Sequence, residues 1–467
     1  MKNRRIYQLL SIVLSLILAA AAPAALIADE APSITFVAEA CSPWAELDVF
    51  MAGTAYGLGD GSTYSDYRGD LTAEKFRPVY NDLAGAFGVY GNFGPEHDPL
   101  TRGEVIARLY EIIREASSAP EGDAVSFFIE EGLVGGRSSG NYDLDQTCTV
   151  EEMIVLSARV YDYLSYQAGR DSKGFFWEVQ GGVNKVYLLG SIHFNDGSMY
   201  PLSRAIEKAY ANSACLAVEA DIFDLSAADQ AYALFKGMYT PESGETIQDY
   251  LPPETYELYA ATFDALAFPP EAYNLMKPWF ANILLQGLTM TADDSEALLG
   301  VDMYFLRKAH AAEKNIIELE SLVFQYDLFD SFSDELQLLQ LNQTLALIAS
   351  ASQPEAEDVD DEGRAEAENA LREMYSQLLE IVRSGDEESL ELILGIGTVP
   401  DDPLDVEYYD KLITDRNLGM ADQIVGFLSG EGTAGDYFVV VGAAHMLGDG
   451  GIVALLTDMG YRVERIK

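Results

Sequence analysis

The stretch "NKVYLLGSIHFND", residues 184–196, decides the fold. Its apolar run, Val186 to Leu189, stops at Gly190-Ser191-Ile192 and delivers His193, one of only four histidines in the chain. Just upstream, "FFWEVQGG" is rich in aromatic and β-branched residues and ends at Gly181-Gly182, so the two runs read as a β-hairpin turning at that glycine pair. Downstream, "PLSRAIEKAYANS" sets Ala205, Ile206, Ala209 and Tyr210 at helical spacing, and "ACLAVEAD" follows as a buried strand. Strand, helix and strand in succession make a β-α-β unit and place the chain in the α/β class.

The alternation returns further along. "KNIIELES" is a short strand, and "DYFVVVGAAHMLGDGGIVALLTDMGYRVERI" reads as strand, glycine turn, helix and strand. Residues 225–310 and 332–430 have helical patterns broken at Pro252-Pro253, Pro269-Pro270 and Pro403. The expectation for residues 172–467 is therefore a mixed or parallel sheet core carrying helical insertions. The acidic run "QPEAEDVDDEGRAEAE", residues 353–368, lacks the regular ligand spacing of a calcium loop and reads as a solvated loop entering an exposed helix.

Aligned by their ends, the strands present His193, then Glu219 and Asp221, then Glu318 and Glu320, then His445. Ligands of open α/β sheets bind in the crevice beyond the carboxyl ends of the strands. Gly190-x-x-His193 and Gly442-x-x-His445 repeat one device, a glycine that permits a tight turn or close approach before a histidine. Two neutral imidazoles with one or two carboxylates suit a divalent transition metal such as Zn, Mn or Co, with room left for a water. Metal-activated water makes hydrolysis the natural reaction class. Arg416, on the helical pattern "DRNLGMADQI", is a candidate to stabilise a developing oxyanion. His97 and His310 have no comparable setting and read as structural or exposed.

The ordered set "LLGSIHFNDGSMYPL", "VEAD", "KPW", "GVDMYFLRKAH" with "IIELES", "RN..M" and "YFVVVGAAHMLGDGGIVALL" resembles the TraB/PrgY/GumN family, which includes the Tiki metal-dependent proteases. The resemblance spans residues 172–467. It implies an α/β core like that of the erythromycin esterase and ChaN group. It also implies His193 and His445 as metal ligands or catalytic histidines, Glu219 as ligand or general base, and Glu320 and Arg416 in support. Glu318 departs from the family pattern, which often has glycine there.

The first third has a different texture. Lys2, Arg4 and Arg5 precede the apolar stretch Ile6 to Ala22, and Ala22-Pro23-Ala24 offers small residues for cleavage, so residues 1–28 read as a signal peptide, with an uncleaved anchor as the alternative. Residues 29–168 repeat short helices opened by threonine: "GDLTAEKFRPVYNDLAGAFG", "DPLTRGEVIARLYEIIREA" and "QTCTVEEMIVLSARVYDYL". Thr101 with Glu104 and Thr149 with Glu152 fit a capping box. With "IEEGLVGGRSSGNYDLDQTCTVEEM", residues 129–153, these segments resemble S-layer homology repeats, which implies a module that holds an exported protein on cell-wall polymer. Only Thr101-Arg102 keeps the Thr-Arg pair of that motif; Thr72-Ala73 and Thr149-Val150 depart from it. Three cysteines are too few for a disulfide framework. Their positions allow one Cys41–Cys148 bridge, with Cys215 a buried small residue.

The formal charge of −47 opposes binding to phosphate backbones, so nucleic acid is excluded as a partner. The expectation is an exported, extracellular or wall-associated, metal-dependent hydrolase of peptide or protein substrates. The rival is a non-catalytic surface protein that sequesters a peptide, haem or metal ion in the same crevice.

Overall fold

A computed structural model describes residues 41–466, apart from 60–63, 65, 91–97, 118–121, 137–140, 225, 241–242, 291–298, 353–372, 374, 399 and 401. The signal segment, His97 and the acidic run therefore lie outside the described residues.

Six strands form one mixed sheet in the order β4-β3-β5-β2-β1-β6: β1 Phe175–Gln180, β2 Val186–Ser191, β3 Cys215–Val218, β4 Asn315–Glu318, β5 Tyr437–Gly442 and β6 Arg462–Arg465. β1 and β2 are the expected antiparallel hairpin, while β2, β5, β3 and β4 run parallel to their neighbours. β5 is buried along its whole length and β2 everywhere but at the half-buried Tyr187, which is what apolar runs such as "YFVVVG" require in a parallel sheet covered on both faces. The chain does not lay the β-α-β strands side by side: β5, from near the end of the sequence, inserts between β2 and β3. In register, Ser191 faces Gly442 and Val440 faces Val218, so β2 and β5 end together and Glu219 follows β3 alongside the last residues of β5. The α/β core with helical insertions is thus as expected.

Ahead of the sheet, α1 (Glu46–Thr54), α2 (Ala73–Ala86), α3 (Arg102–Ser117), α4 (Ala124–Glu130) and α5 (Val150–Gln167) surround a hydrophobic core of their own. Both capping boxes form. The Thr101 and Thr149 hydroxyls accept from the Glu104 and Glu152 amides, and each glutamate accepts from the threonine amide. The three helix-opening turns close a ring of backbone hydrogen bonds, Leu71 N–H to Cys148 O, Cys148 N–H to Leu100 O and Leu100 N–H to Leu71 O, at 2.9, 2.9 and 3.0 Å. Cys41 and Cys148 are buried in this core as thiols, and burial with nearby Glu46 pushes the Cys41 thiol up to about 11. α1 belongs to both halves, for its Phe50 and Met51 pack into the core of the sheet region.

Three helices frame the site. α6 (Arg204–Asn212) leads from β2 to β3, α7 (Val301–Ala311) precedes β4, and α8 (Asp415–Ser429) precedes β5. α1 packs on α7, and the Arg307 guanidinium of α7 lies 4.5 Å from the centre of the Phe50 ring.

Candidate active site

His193 follows β2 by two residues and is buried. Its Nδ1 lies 2.9 Å from Asp302 Oδ2, in the first turn of α7. A carboxylate only accepts, so Nδ1 carries the proton and Nε2 faces the crevice. α7 comes this close because position 300 is glycine: a Cβ there would stand 2.6 Å from the His193 carbonyl oxygen, and the Val301 amide donates to Ile192 O. Burial alone would depress the His193 pKa, but the charge and hydrogen bond of Asp302, with the charge of Glu219, outweigh it and raise the pKa.

His445 sits on the short turn after β5 and is fully buried. Its Nδ1 lies 2.7 Å from Asn417 Oδ1, and Asn417 Nδ2 donates to Gly450 O, which fixes the amide and makes Nδ1 the protonated nitrogen. Nε2 is left as a buried lone pair with no hydrogen-bond partner among the described residues. Burial, then the charge of Arg416, push this imidazole down to about 3, so it is neutral. The two histidines thus hold their Nδ1 atoms on different kinds of anchor, a carboxylate and an amide.

Glu219 follows β3. Its Oε1 accepts the Gly442 amide at 2.7 Å and its Oε2 accepts Arg416 Nη2 at 2.5 Å. Burial would raise its pKa, yet Arg416 first, then the histidines and the Gly442 amide, hold it well below the usual carboxylate range. Glu320 takes Arg416 Nε and Nη2 on its two oxygens, each at 2.8 Å. Arg416, in the first turn of α8, is therefore a buried cation between two carboxylates, its own pKa driven upward against burial by Glu219 and Glu320.

Gly442 defines the centre of the site. A Cβ built on it would lie 3.4 Å from Glu219 Oε1, 3.6 Å from His445 Cδ2 and 3.8 Å from His193 Nε2. The absent side chain leaves a small cradle on which all three converge. Gly190, its counterpart in the paired motif, does a different job: a Cβ there would stand 3.0 Å from Ala443 Cα and Phe175 Cβ, so it permits close packing.

The structure thus brings together His193, His445, Glu219, Glu320 and Arg416, all five residues singled out in the sequence. It assigns some of them different neighbours from those expected. Arg416 is committed to carboxylates, which leaves its charge balanced instead of aimed at a substrate oxyanion, and Glu320 is committed to Arg416. Asp221 accepts from the partly exposed His310 Nε2 at 2.8 Å, and Glu318 accepts the Asp221 amide, so neither carboxylate enters the cradle. Asp302 and Asn417 carried no assigned role in the sequence, although "GVD" and "RN" stand within the quoted motifs. Their signal was a polar residue in the first turn of a helix, too common to single out.

The donor chemistry suits a divalent cation at one end. A deprotonated, unpartnered Nε2 with its Nδ1–H tied back is how metal-binding histidines are held, and Asp302 gives His193 the same support. Among the described residues, no group of three His, Cys, Asp or Glu side chains stands at metal-ligand spacing.

A mixed α/β sheet with paired G-x-x-H strand ends and an arginine-bridged pair of glutamates defines the class of protein. The chain belongs to the TraB/PrgY/gumN family, whose model matches residues 175–465. It is 25% identical to the uncharacterized protein YbaP of Escherichia coli (strain K12) over 278 residues, 59% of this chain and 89% of that protein. It is 23% identical to the metalloprotease TIKI2 of Xenopus tropicalis over 331 residues, 63% of this chain and 60% of that protein. No solved structure gives a significant match.

Proposed function

We propose that this chain is an exported metal-dependent hydrolase acting on peptides. The observation that carries the proposal is the convergence of His193, His445 and Glu219 on the cradle of Gly442, with one buried imidazole nitrogen that has no hydrogen-bond partner among the described residues. His193, His445 and Glu219 would hold a divalent cation, whose chemistry is to acidify a bound water and polarise a carbonyl. Asp302 and Asn417 fix the ring orientations of the two histidines. Arg416 keeps Glu219 ionised. A carboxylate held so far below neutral suits cation binding better than proton abstraction, because a general base works best with a pKa near the working pH. The membership of the family and the likeness to a named metalloprotease support the hydrolase class.

The full-length chain is the right material, because α1 packs on the helix that carries Asp302. Metal content is measured, then an unbiased peptide library is digested by the wild type, His193→Ala and His445→Ala. Cleavage lost in both variants supports the proposal; cleavage retained in both overturns it.

One observation favours the rival reading. Both Glu219 oxygens already accept hydrogen bonds, so this carboxylate has no uncommitted oxygen with which to act as a base. Stoichiometric capture of a peptide, haem or metal without turnover identifies a binding protein. For residues 29–168 we propose attachment to cell-wall polymer, which the closed ring of three helix-opening turns supports and a wall pulldown of the full-length chain tests. Export rests on residues 1–28. Among the described residues no helix is long and apolar enough to cross a membrane.

A further inference from the structure

Three buried polar atoms near the cradle have no hydrogen-bond partner among the described residues: His445 Nε2, Asp302 Oδ1 and Ser191 Oγ. The first two can only accept, since the His445 proton is on Nδ1 and the other Asp302 oxygen already faces His193. Ser191 is different, because a hydroxyl has a hydrogen to give. We propose that Ser191 Oγ is the hydrogen-bond donor that receives the carbonyl oxygen of the substrate as charge develops on it.

The backbone aims Ser191 at the right place. It is the last residue of β2 and lies directly opposite Gly442 in the parallel pair, so its Cβ leaves the sheet on the same side as the missing Cβ of Gly442. That missing Cβ points between Glu219 Oε1, His445 and His193 Nε2. The Ser191 Cβ therefore stands one strand spacing, roughly 4.8 Å, from the place of the missing Gly442 Cβ.

Packing does not explain the residue. Ser191 is 3% exposed at the end of an apolar strand, where alanine would fill nearly the same volume without an unpaired polar atom. A buried hydroxyl without a partner destabilises a fold, and its retention points to a partner that arrives from outside. The other donors near the cradle are committed: Arg416 Nε and Nη2 to carboxylates, Asn417 Nδ2 to Gly450 O, the Gly442 amide to Glu219.

This assignment rests on the hydrolase proposal, and its test separates the two. Full-length wild type, Ser191→Ala and Ser191→Thr are compared for metal stoichiometry, thermal midpoint and steady-state kinetics on the best peptide from the library digest. The expected result for Ser191→Ala is unchanged metal content, a midpoint no lower than wild type, unchanged KM and a kcat reduced about 100-fold, the usual effect of deleting one oxyanion donor. Ser191→Thr, which keeps the hydroxyl, recovers most of that loss. A Ser191→Ala variant with wild-type kcat overturns the assignment and leaves the hydrolase standing. So does one whose midpoint falls along with its activity, because the hydroxyl would then have a partner inside the folded chain. A wild type that cleaves nothing under any metal overturns both.

Discussion

Adding one methyl group at Gly442 tests the cradle directly. The backbone there, at φ −50° and ψ 137°, lies in a region open to any L-residue, so alanine introduces no strain. The new Cβ would meet its nearest neighbours at 3.4, 3.6 and 3.8 Å, which are ordinary van der Waals contacts. Folding should be unharmed or improved by about 0.4–1 kcal/mol, since alanine lowers the entropy of the unfolded chain. The methyl nevertheless occupies the space on which His193 Nε2 and Glu219 Oε1 converge, where the proposed cation would be held. Affinity should fall by at least the 10–100-fold that accompanies even indirect damage to a metal site. Gly190→Ala is the control. Its Cβ would stand 3.0 Å from Ala443 Cα and from Phe175 Cβ, groups unable to swing aside, and such overpacking costs about 1–3 kcal/mol. The assays are calorimetric titration of chelator-stripped full-length protein with Zn, Mn and Co in turn, and thermal unfolding of each variant. Gly442→Ala should keep its midpoint and lose the metal, with Gly190→Ala losing midpoint instead. A Gly442→Ala variant that binds metal like wild type refutes the cradle, whatever its stability.

Three further outcomes follow from the electrostatics. Arg416→Met strands Glu219 and Glu320 as buried like charges and should cost about 3–5 kcal/mol, read by urea unfolding at pH 7, with Glu320→Gln in the same chain recovering part of the loss. A single-variant cost under about 1 kcal/mol would show that the arginine does not hold the pair. His445 stays neutral down to about 3 in the fold while the unfolded imidazole takes up its proton near 6.5. Its contribution to stability is therefore present above pH 6.5 and lost as the pH falls toward 3; His445→Gln should flatten that slope in unfolding midpoints measured across this window. Asp302 raises the His193 pKa, so the stability of that pair is fully present below the unfolded value near 6.5 and lost as the pH rises through the folded one. In Asp302→Asn the His193 resonance should titrate at lower pH, which imidazole-labelled NMR can follow in a chain of four histidines. An unmoved resonance would detach Asp302 from His193.

The sequence by itself determined the elements and their ends. Apolar runs closed by glycine located β2 and β5, and Thr-x-x-Glu opened α3 and α5, because burial period and capping depend on residues a few positions apart. It also brought forward His193, His445, Glu219, Glu320 and Arg416, since each lies at a strand end or in the first turn of a helix. Tertiary structure decided what each of them faces. Only the insertion of β5 between β2 and β3 sets His445 beside His193 and lays the Gly442 amide on Glu219. Only the docking of α7 and α8 gives His193 its carboxylate, His445 its amide and Arg416 its two glutamates. The two glycines of one repeated motif illustrate the division. Both permit a histidine to follow a strand, but whether a glycine relieves packing or opens a cradle depends on which atoms arrive from distant parts of the chain.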